Sequence, residues 1–291
     1  MKEETTVQRY RLRPCIEAFR FARGPSFKGN GVLLLAILSF VIQVPHFAGA
    51  QEQRFPSPVT TGVLGKRDAG ALSEINAHII AVGASGWQSL EATGTLTYPD
   101  GSAFAATLYL SGSRFQRLDI EMGSGTRSVR IGGFAGRYQG ERGNQGALPP
   151  ATSSAGIVAF PRIWADAATS ASISLYEQHL YTGTGSNLHR ITMEYALEGP
   201  AGSRLGNKTA ATDLYFDPST HLLDYSVDAV TFNGPTRQPF QRVTDYEEYQ
   251  QFSGIKVPTV IKQYLNGQLQ WTLQLNQVTI NSNPDASVFS F

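Results

Sequence analysis

The sequence predicts a mainly β protein of the α+β class, built on an antiparallel sheet of about ten or eleven strands. Three observations predict this fold. Apolar residues recur at every second position after about residue 88, turn motifs separate neighbouring runs, and one interval shows helical spacing instead. Because short turns join consecutive runs, an antiparallel meander is favoured.

Residues 1–50 are predicted to be a secretory signal peptide. Seven Lys and Arg residues precede the apolar run Val32–Val44, and Ala48-Gly49-Ala50 offers small residues for signal peptidase, so Gln51 is the expected mature start. A retained membrane anchor is the alternative. Such a helix needs about 20 apolar residues, whereas the run has 13. We therefore expect export and cleavage.

The composition of the remaining chain excludes several classes of protein. The first 50 residues hold seven of the 24 basic residues and three of the 23 acidic ones, so residues 51–291 carry a net charge of −3. A weakly acidic chain without a basic run is not typical of a nucleic-acid binder. Since the single cysteine, Cys15, precedes the apolar run, we expect no disulfide, thiolate metal site or attached lipid in the mature protein.

Residues 51–69 lack periodicity and are predicted to be a flexible leader before a single domain over residues 70–291. The domain opens with a helix from Ala71, because apolar residues fall on one helical face. Those residues are Leu72, Ile75, Ile79 and Val82. Gly83 suits the position that ends a helix.

Strands with one buried face are predicted for most of the domain. The alternation of apolar and polar residues is clearest over residues 104–110 and 191–197. Pro99-Asp100-Gly101 fits a type I turn, and Asn266-Gly267 is a strong signal for a two-residue hairpin.

Residues 141–186 interrupt this rhythm. The interval is rich in Gly, Ala, Ser and Pro, and its apolar residues show helical spacing near residues 157–164 and 173–181. It is predicted to be a helical or loop excursion. Such an excursion acts either as a lid over a cavity or as a second layer that covers one face of the sheet.

No arrangement of catalytic or metal-binding residues stands out. Residues 83–87 miss the second glycine of a nucleophile elbow by one place. The histidines after residue 51 have no metal-binding spacing; they are His78, His179, His189 and His221. Asp119 and Glu121 share one strand face and are interpreted as solvated surface charge. The sequence therefore predicts a protein that is not an enzyme and that has no cofactor.

Abundant Tyr and Phe residues offer apolar surface for one of two uses. They fill an ordinary core, as aromatic residues do in any sheet, or they line a pocket for an apolar ligand between the sheet and the helical interval. The sequence pattern leaves both interpretations open.

The C-terminal part of the chain resembles LolA-like periplasmic proteins, the superfamily of outer-membrane lipoprotein carriers. A Tyr-rich strand runs into Gly254-Ile255-Lys256-Val257-Pro258, the Asn266-Gly267 hairpin follows, and the chain closes on Asp285-Ala286-Ser287-Val288-Phe289. Gly254 permits a bulge or turn, and Pro258 confines its strand to an edge or bulged position. A sheet interrupted in this way curls into an incomplete barrel, with helices covering its concave face.

The opening of the domain carries the second part of the resemblance. The helix from Ala71 is followed by Thr93-Gly94-Thr95, and Phe115–Glu121 is similar to the Phe-Arg-x-Glu strand of lipoprotein carriers. The resemblance spans residues 70–140 and 187–291, and the interval between them stands where the family places lid helices.

The resemblance implies a monomeric periplasmic carrier without catalysis, which holds a lipid, an acyl chain or a lipoprotein in an apolar concavity. It also implies that Arg117 ties the lid to the sheet. The candidate ligand-binding residues are Phe115, Arg117, Trp164, Tyr195, Phe216 and Tyr225. One alternative is a structural or interaction module of the cell envelope, with a filled core and an envelope protein as partner. The other is a hydrolase whose fold gathers His189 or His221 with a serine and a carboxylate.

Overall fold

The computed structural model describes residues 60–61, 65–132, 135–167, 173–180, 188–198, 204–230 and 239–290. The predicted signal peptide, its cleavage site and most of the predicted leader lie outside these residues. Within the described ranges, no helix has the length and apolar character that a membrane span requires.

Fourteen strands in the described ranges form one sheet. Their bounds are β1 Thr60–Thr61, β2 Ser89–Thr97, β3 Ala103–Ser111, β4 Phe115–Met122, β5 Gly125–Gly132, β6 Ala135–Gln139, β7 Gln145–Ala147, β8 Ile173–Leu180, β9 Leu188–Glu198, β10 Arg204–Phe216, β11 Leu223–Val230, β12 Phe240–Phe252, β13 Ile255–Leu265 and β14 Gln268–Ile280. The sheet has more strands than expected because β1 and β7 are too short to show alternation and β8 lies in the interval with helical spacing.

The strand order is β7-β6-β5-β4-β3-β2-β14-β13-β12-β11-β10-β9-β8, with β1 beside β10. Two meanders, β2–β7 and β8–β14, therefore meet where β2 pairs with β14. All these pairs are antiparallel, and β7 and β8 at the two ends do not pair with each other. The predicted α+β class and the open, curved antiparallel sheet are confirmed.

The first helix, α1, spans Ala69–Val82 and ends at Gly83, whose φ of 72° lies in the left-handed region. Ile75 and Val82 of the predicted apolar face are buried. The same helix also buries two polar side chains, Glu74 and His78.

The predicted hairpin at Asn266-Gly267 joins β13 to β14. Both residues have positive φ, 47° and 78°, as a type I′ turn requires. The turn at Pro99-Asp100-Gly101 joins β2 to β3, and the Gly101 amide donates to the Tyr98 carbonyl over 2.9 Å.

The interval over residues 141–186 contains β7, two short helices, a π-helix and β8. The helices are α2 Pro150–Ala155 and α3 Phe160–Arg162, and the π-helix spans Ile163–Ala167. We call residues 150–167 the covering segment. It packs on one face of the sheet, here called the inner face, which also buries Leu108, Leu118 and Tyr246. The opposite face is called the outer face.

Candidate functional site

The apolar centre of the inner face lies under the covering segment. Phe160, Ile163 and Trp164 are 0%, 0% and 6% exposed. The Phe160 ring lies 5.0 Å from the Trp164 ring and 5.9 Å from the ring of Tyr246 on β12. These large side chains therefore occupy the space between the sheet and the covering segment.

Gln116 on β4 binds the main chain of the covering segment. Its Oε1 accepts hydrogen bonds from the amides of Ile157 (2.6 Å) and Val158 (3.1 Å), and its Nε2 donates to the Val158 carbonyl over 3.1 Å. The side chain is almost fully buried, at 1% exposed for the residue. Its amide thus satisfies main-chain groups that do not belong to a helix or a sheet.

Tyr246 adds a second hydrogen bond to the same stretch. Its hydroxyl accepts from the Ala159 amide over 2.9 Å and lies 3.2 Å from Ser226 Oγ. Burial raises the pKa of Tyr246 to about 12, although the hydrogen bonds with Ser226 and Ala159 oppose this effect. The hydroxyl therefore stays protonated across the physiological range.

A buried ion pair supplies the third attachment. Arg242 on β12 binds both carboxylate oxygens of Asp228 on β11, over 2.9 Å and 2.5 Å, and donates to the Gly156 carbonyl over 2.8 Å. Together Gln116, Tyr246 and Arg242 bind four consecutive residues of the covering segment, Gly156 to Ala159.

Arg162 holds the far end of α3. Its guanidinium lies 4.2 Å from the centre of the Tyr195 ring and donates to the Ser154 carbonyl. Tyr195 is buried on β9, and its hydroxyl lies 3.3 Å from Thr212 Oγ1. A cation over a desolvated ring contributes up to about 2 kcal/mol.

The histidines that looked scattered in the sequence meet around α1. The two carboxylate oxygens of Glu74 form hydrogen bonds with two histidines. One lies 2.8 Å from His189 Nδ1 and the other lies 3.0 Å from His221 Nδ1. His78 Nδ1 donates to the His221 carbonyl over 2.8 Å, and His78 Nε2 accepts from Trp164 Nε1 over 3.1 Å. Burial lowers the pKa of His78 to about 4, so the ring is neutral at pH 7.

The contacts of this histidine cluster attach α1 to β9, to the β10–β11 turn and to the π-helix. In the described ranges, no group of three or more His, Cys, Asp and Glu residues is arranged to hold a metal ion. Sequence spacing gave no signal for the cluster because Glu74 lies 115 residues before His189 and 147 residues before His221.

The structure brings three of the six candidate ligand-binding residues to the inner face: Trp164, Tyr195 and Phe216. Phe216 packs its ring 5.1 Å from the His78 ring. Tyr225 instead lies on the outer face, where it stacks on Tyr215 with ring centres 4.2 Å apart.

Phe115 and Arg117 lie together on the outer face, beneath the C-terminal 3-10 helix Ala286–Phe289. Phe115 is 5.6 Å from the Phe289 ring, and Arg117 binds Asp119 and donates to the Val288 carbonyl over 2.8 Å. Asp119 is buried there and accepts from Ser128, so its interpretation as solvated surface charge was wrong.

The contacts that the resemblance implied for Arg117 are made by its neighbour. Successive strand residues point to opposite faces, so Gln116 reaches the covering segment and Arg117 reaches the C-terminal helix. The alternation of Gln116 with Leu118 and Ile120 carried this signal, since it places Gln116 on the apolar face.

The chain is similar to several solved structures at low sequence identity. A LolA superfamily protein from Nitrosomonas europaea is 15% identical, with a TM-score of 0.44, over 79% of this chain and 99% of that chain. A DUF1329 family protein from Desulfovibrio piger is 7% identical, with a TM-score of 0.40, over 76% and 97%. The MucA/MucB complex of Pseudomonas aeruginosa gives 10% identity and a TM-score of 0.21, over 76% and 97%.

No protein-family model and no curated protein matches the chain. The strand pairing within this chain is the evidence for its fold.

Proposed function

We propose that this protein is a non-enzymatic binding protein of the periplasm, which takes up a lipid or acyl chain on its inner face when the covering segment moves away. One observation carries the proposal. The apolar side chains of the covering segment fill the inner face, while a few side-chain hydrogen bonds to Gly156–Ala159 hold its main chain. The motif resemblance to the lipoprotein carriers supports the same function.

The energies of such an exchange are closely matched. Burial of a methylene contributes about 0.8 kcal/mol, so a chain of about a dozen methylenes contributes on the order of 10 kcal/mol. Burial of Phe160, Ile163 and Trp164 contributes up to about 3 kcal/mol each, or roughly 9 kcal/mol together. The burial of an acyl chain can therefore offset the burial that these three side chains lose, while the hydrogen bonds to Gly156–Ala159 oppose the exchange.

Locking the covering segment tests the proposal directly. A Cβ atom placed at Gly136 on β6 would lie 2.5 Å from Ser153 Oγ on α2 and 2.8 Å from Leu148 Cδ1, so the Leu148 side chain must shift to admit a side chain there. With that shift, a Gly136→Cys/Ser153→Cys pair brings the two β-carbons close enough for a disulfide. We expect the oxidised variant to lose binding of a fluorescent fatty acid and the reduced variant to regain it. The reduced protein is the matched control, because it has the same sequence.

A second variant tests the same idea in the opposite direction. Gln116→Ala removes the hydrogen bonds to Ile157 and Val158, so it should release the covering segment more often and speed uptake of the probe, as measured by stopped-flow fluorescence. Equal binding by the oxidised and reduced double variants would contradict the proposal.

A structural or interaction module of the envelope is the second candidate. The filled inner face and the buried Arg242–Asp228 pair favour it, because neither leaves room for a ligand in this state. If neither redox form of the double variant binds the probe, and protein purified from its host carries no lipid by mass spectrometry, this candidate replaces the first.

We infer no catalytic role for the histidine cluster. Glu74 uses both carboxylate oxygens on His189 and His221, and His78 uses both ring nitrogens on a carbonyl and on Trp164. These contacts join α1 to β9, to the β10–β11 turn and to the π-helix. Wild-type rates of ester hydrolysis no higher than those of a His189→Gln/His221→Gln variant would support this inference.

A further inference from the structure

Trp87 has a buried indole N–H group that lacks a hydrogen-bond partner. The residue is 8% exposed, and its Nε1 finds no acceptor among the described residues. An indole N–H can only donate, and a buried donor without an acceptor costs free energy. Two other polar groups of the apolar centre are satisfied, since Trp164 Nε1 donates to His78 and the Tyr246 hydroxyl accepts from Ala159. The Trp87 N–H therefore calls for an explanation of its own.

Trp87 lies directly beside the covering segment. Its ring centre is 5.7 Å from that of Trp164 in the π-helix, and the two ring planes are nearly perpendicular, at 82°. A ring face is a weak acceptor compared with a carbonyl oxygen. In the proposed exchange Trp164 leaves with the covering segment, so the space beside Trp87 becomes available to the ligand.

The main chain on both sides of Trp87 is held by one side chain that follows β14. Asn281 Nδ2 donates to the Gly86 carbonyl over 3.0 Å, and Asn281 Oδ1 accepts from the Gln88 amide over 2.8 Å. The Trp87 amide itself donates to the Ala84 carbonyl over 3.1 Å. None of these contacts involves the covering segment, so Trp87 keeps its position when that segment moves.

We propose that Trp87 recognises the oxygen end of the ligand, so that the inner face selects an acyl group over a plain hydrocarbon. The carbonyl oxygen of an ester and the carboxyl oxygen of a fatty acid both accept hydrogen bonds. Either oxygen gives Trp87 Nε1 the acceptor that it lacks in the closed structure, while the chain covers the apolar face. A site with a buried polar group discriminates against a ligand that leaves this group unpaired. The assignment rests on the proposed function, since it gives a ligand class to the same face.

Trp87→Phe tests the assignment, because it keeps an aromatic ring and removes the N–H donor. Diphenylhexatriene, a fluorescent hydrocarbon, is titrated directly, and laurate and methyl laurate are titrated as its competitors. We expect the variant to bind at least one of the two acyl ligands about fivefold more weakly, because a hydrogen bond is lost. Weaker binding of methyl laurate identifies an ester as ligand, and weaker binding of laurate alone identifies a free acid.

The hydrocarbon is the internal reference. The Trp87 N–H lacks an acceptor both in the closed protein and in the diphenylhexatriene complex, so its removal affects the two states equally. We therefore expect the affinity for diphenylhexatriene to change by no more than about twofold in Trp87→Phe.

Trp271→Phe is the matched control. It makes the same change at a half-buried residue of β14 whose indole N–H is not among the buried unpaired groups of the described residues. All three affinities should stay within about twofold of wild type. Equal weakening of all three ligands by Trp87→Phe, or no larger effect than that of Trp271→Phe, would overturn the assignment while leaving the proposed function in place. If wild type binds none of the three ligands, the proposed function fails first.

Nuclear magnetic resonance of the indole N–H groups gives a readout on the wild-type protein, which decides the question even if Trp87→Phe does not fold. The chain has three tryptophans, and Trp164→Phe and Trp271→Phe assign two of the three signals. On addition of the acyl ligands to wild type, the Trp87 N–H proton should move downfield, as a newly hydrogen-bonded proton does. A Trp87 signal that stays in place or moves upfield when both acyl ligands are bound would overturn the assignment.

Discussion

Gln116 satisfies main-chain groups of Ile157 and Val158, which have no partner in a helix or a sheet. Replacing Gln116 by Leu keeps a side chain of similar volume but leaves the amides of Ile157 and Val158 without acceptors. Each unsatisfied buried group costs about 1–3 kcal/mol, so we expect Gln116→Leu to lower the free energy of unfolding by roughly 2–4 kcal/mol in urea denaturation.

The exposed Gln251 on β12 is the matched control for that prediction. Gln251→Leu should change the free energy of unfolding by no more than about 0.5 kcal/mol. A similar small effect of Gln116→Leu would mean that the covering segment does not depend on this amide.

The Arg242–Asp228 pair makes a second residue-scale prediction. Asp228→Asn leaves a buried guanidinium without its counter-charge, which costs about 3–5 kcal/mol. Lys262→Gln breaks the half-buried Lys262–Glu247 pair and should cost about 1 kcal/mol or less. Chemical denaturation of both variants measures the difference, and equal losses would contradict our description of Arg242 as a buried attachment.

At the scale of elements, His78 couples the π-helix to α1 through its protonation state. Its pKa of about 4 in the folded protein lies below the usual value of 6.5. The folded state therefore binds fewer protons than the unfolded state, so stability is lost as the pH falls from 6.5 toward 4. A protonated Nε2 cannot accept the Trp164 hydrogen bond, and we expect acid to loosen the π-helix.

His78→Gln tests this coupling. A glutamine amide can also accept from Trp164 and donate to the His221 carbonyl, but it does not titrate. We expect wild-type Trp fluorescence to shift between pH 6.5 and 4 and the variant to show a flatter response. Glu74 and His221, which face His78, are retained in both proteins, as is Asp245, whose pKa burial raises to about 6.

The contrast between α1 and its surroundings shows what sequence patterns can predict. Apolar periodicity predicted α1, Gly83 predicted its end, and Asn266-Gly267 predicted a hairpin, because each is a local preference of a few residues. The Glu74–His189–His221 contacts join residues more than 100 positions apart. Nothing local requires such a cluster, so no spacing rule could predict it.

Part of the inner face was predictable from the sequence, because strand alternation is also a local pattern. Alternation places Gln116 on the side of Leu118, yet the resemblance directed attention to Arg117 on the opposite side. The polar attachments at Tyr246 and Arg242 depend on where the covering segment crosses β12. That crossing is a property of the tertiary fold, which the composition of residues 141–186 does not specify.

At the scale of the whole molecule, cooperativity depends on the pairing of β2 with β14. Gly94 on β2 faces the irregular stretch of β14 between Leu275 and Gln277. A Cβ at Gly94 would collide with the Gln274 carbonyl and lie 3.0 Å from the Leu275 Cα. We expect Gly94→Ala to cost about 1–3 kcal/mol and to weaken the joint between the two meanders.

Two spectroscopic probes report on this joint. Far-UV circular dichroism follows the whole sheet, and Trp fluorescence follows the neighbourhood of the inner face. In wild type the two urea transitions should coincide, as in two-state unfolding, and in Gly94→Ala they should move to lower urea or separate. Gly86→Ala is the control, because a Cβ there meets nothing within 4 Å; equal effects would contradict the prediction.

The covering segment also connects the two ends of the strand order. It leaves the sheet at β7 and returns at β8, which are opposite ends of the strand order. Each meander is contiguous in sequence on its own side of this crossing. Two fragments divided between β7 and β8 would therefore carry complementary surfaces, with β2, β1 and α1 on one fragment and their partners β14, β10 and β9 on the other, so the protein is a candidate for a split reporter.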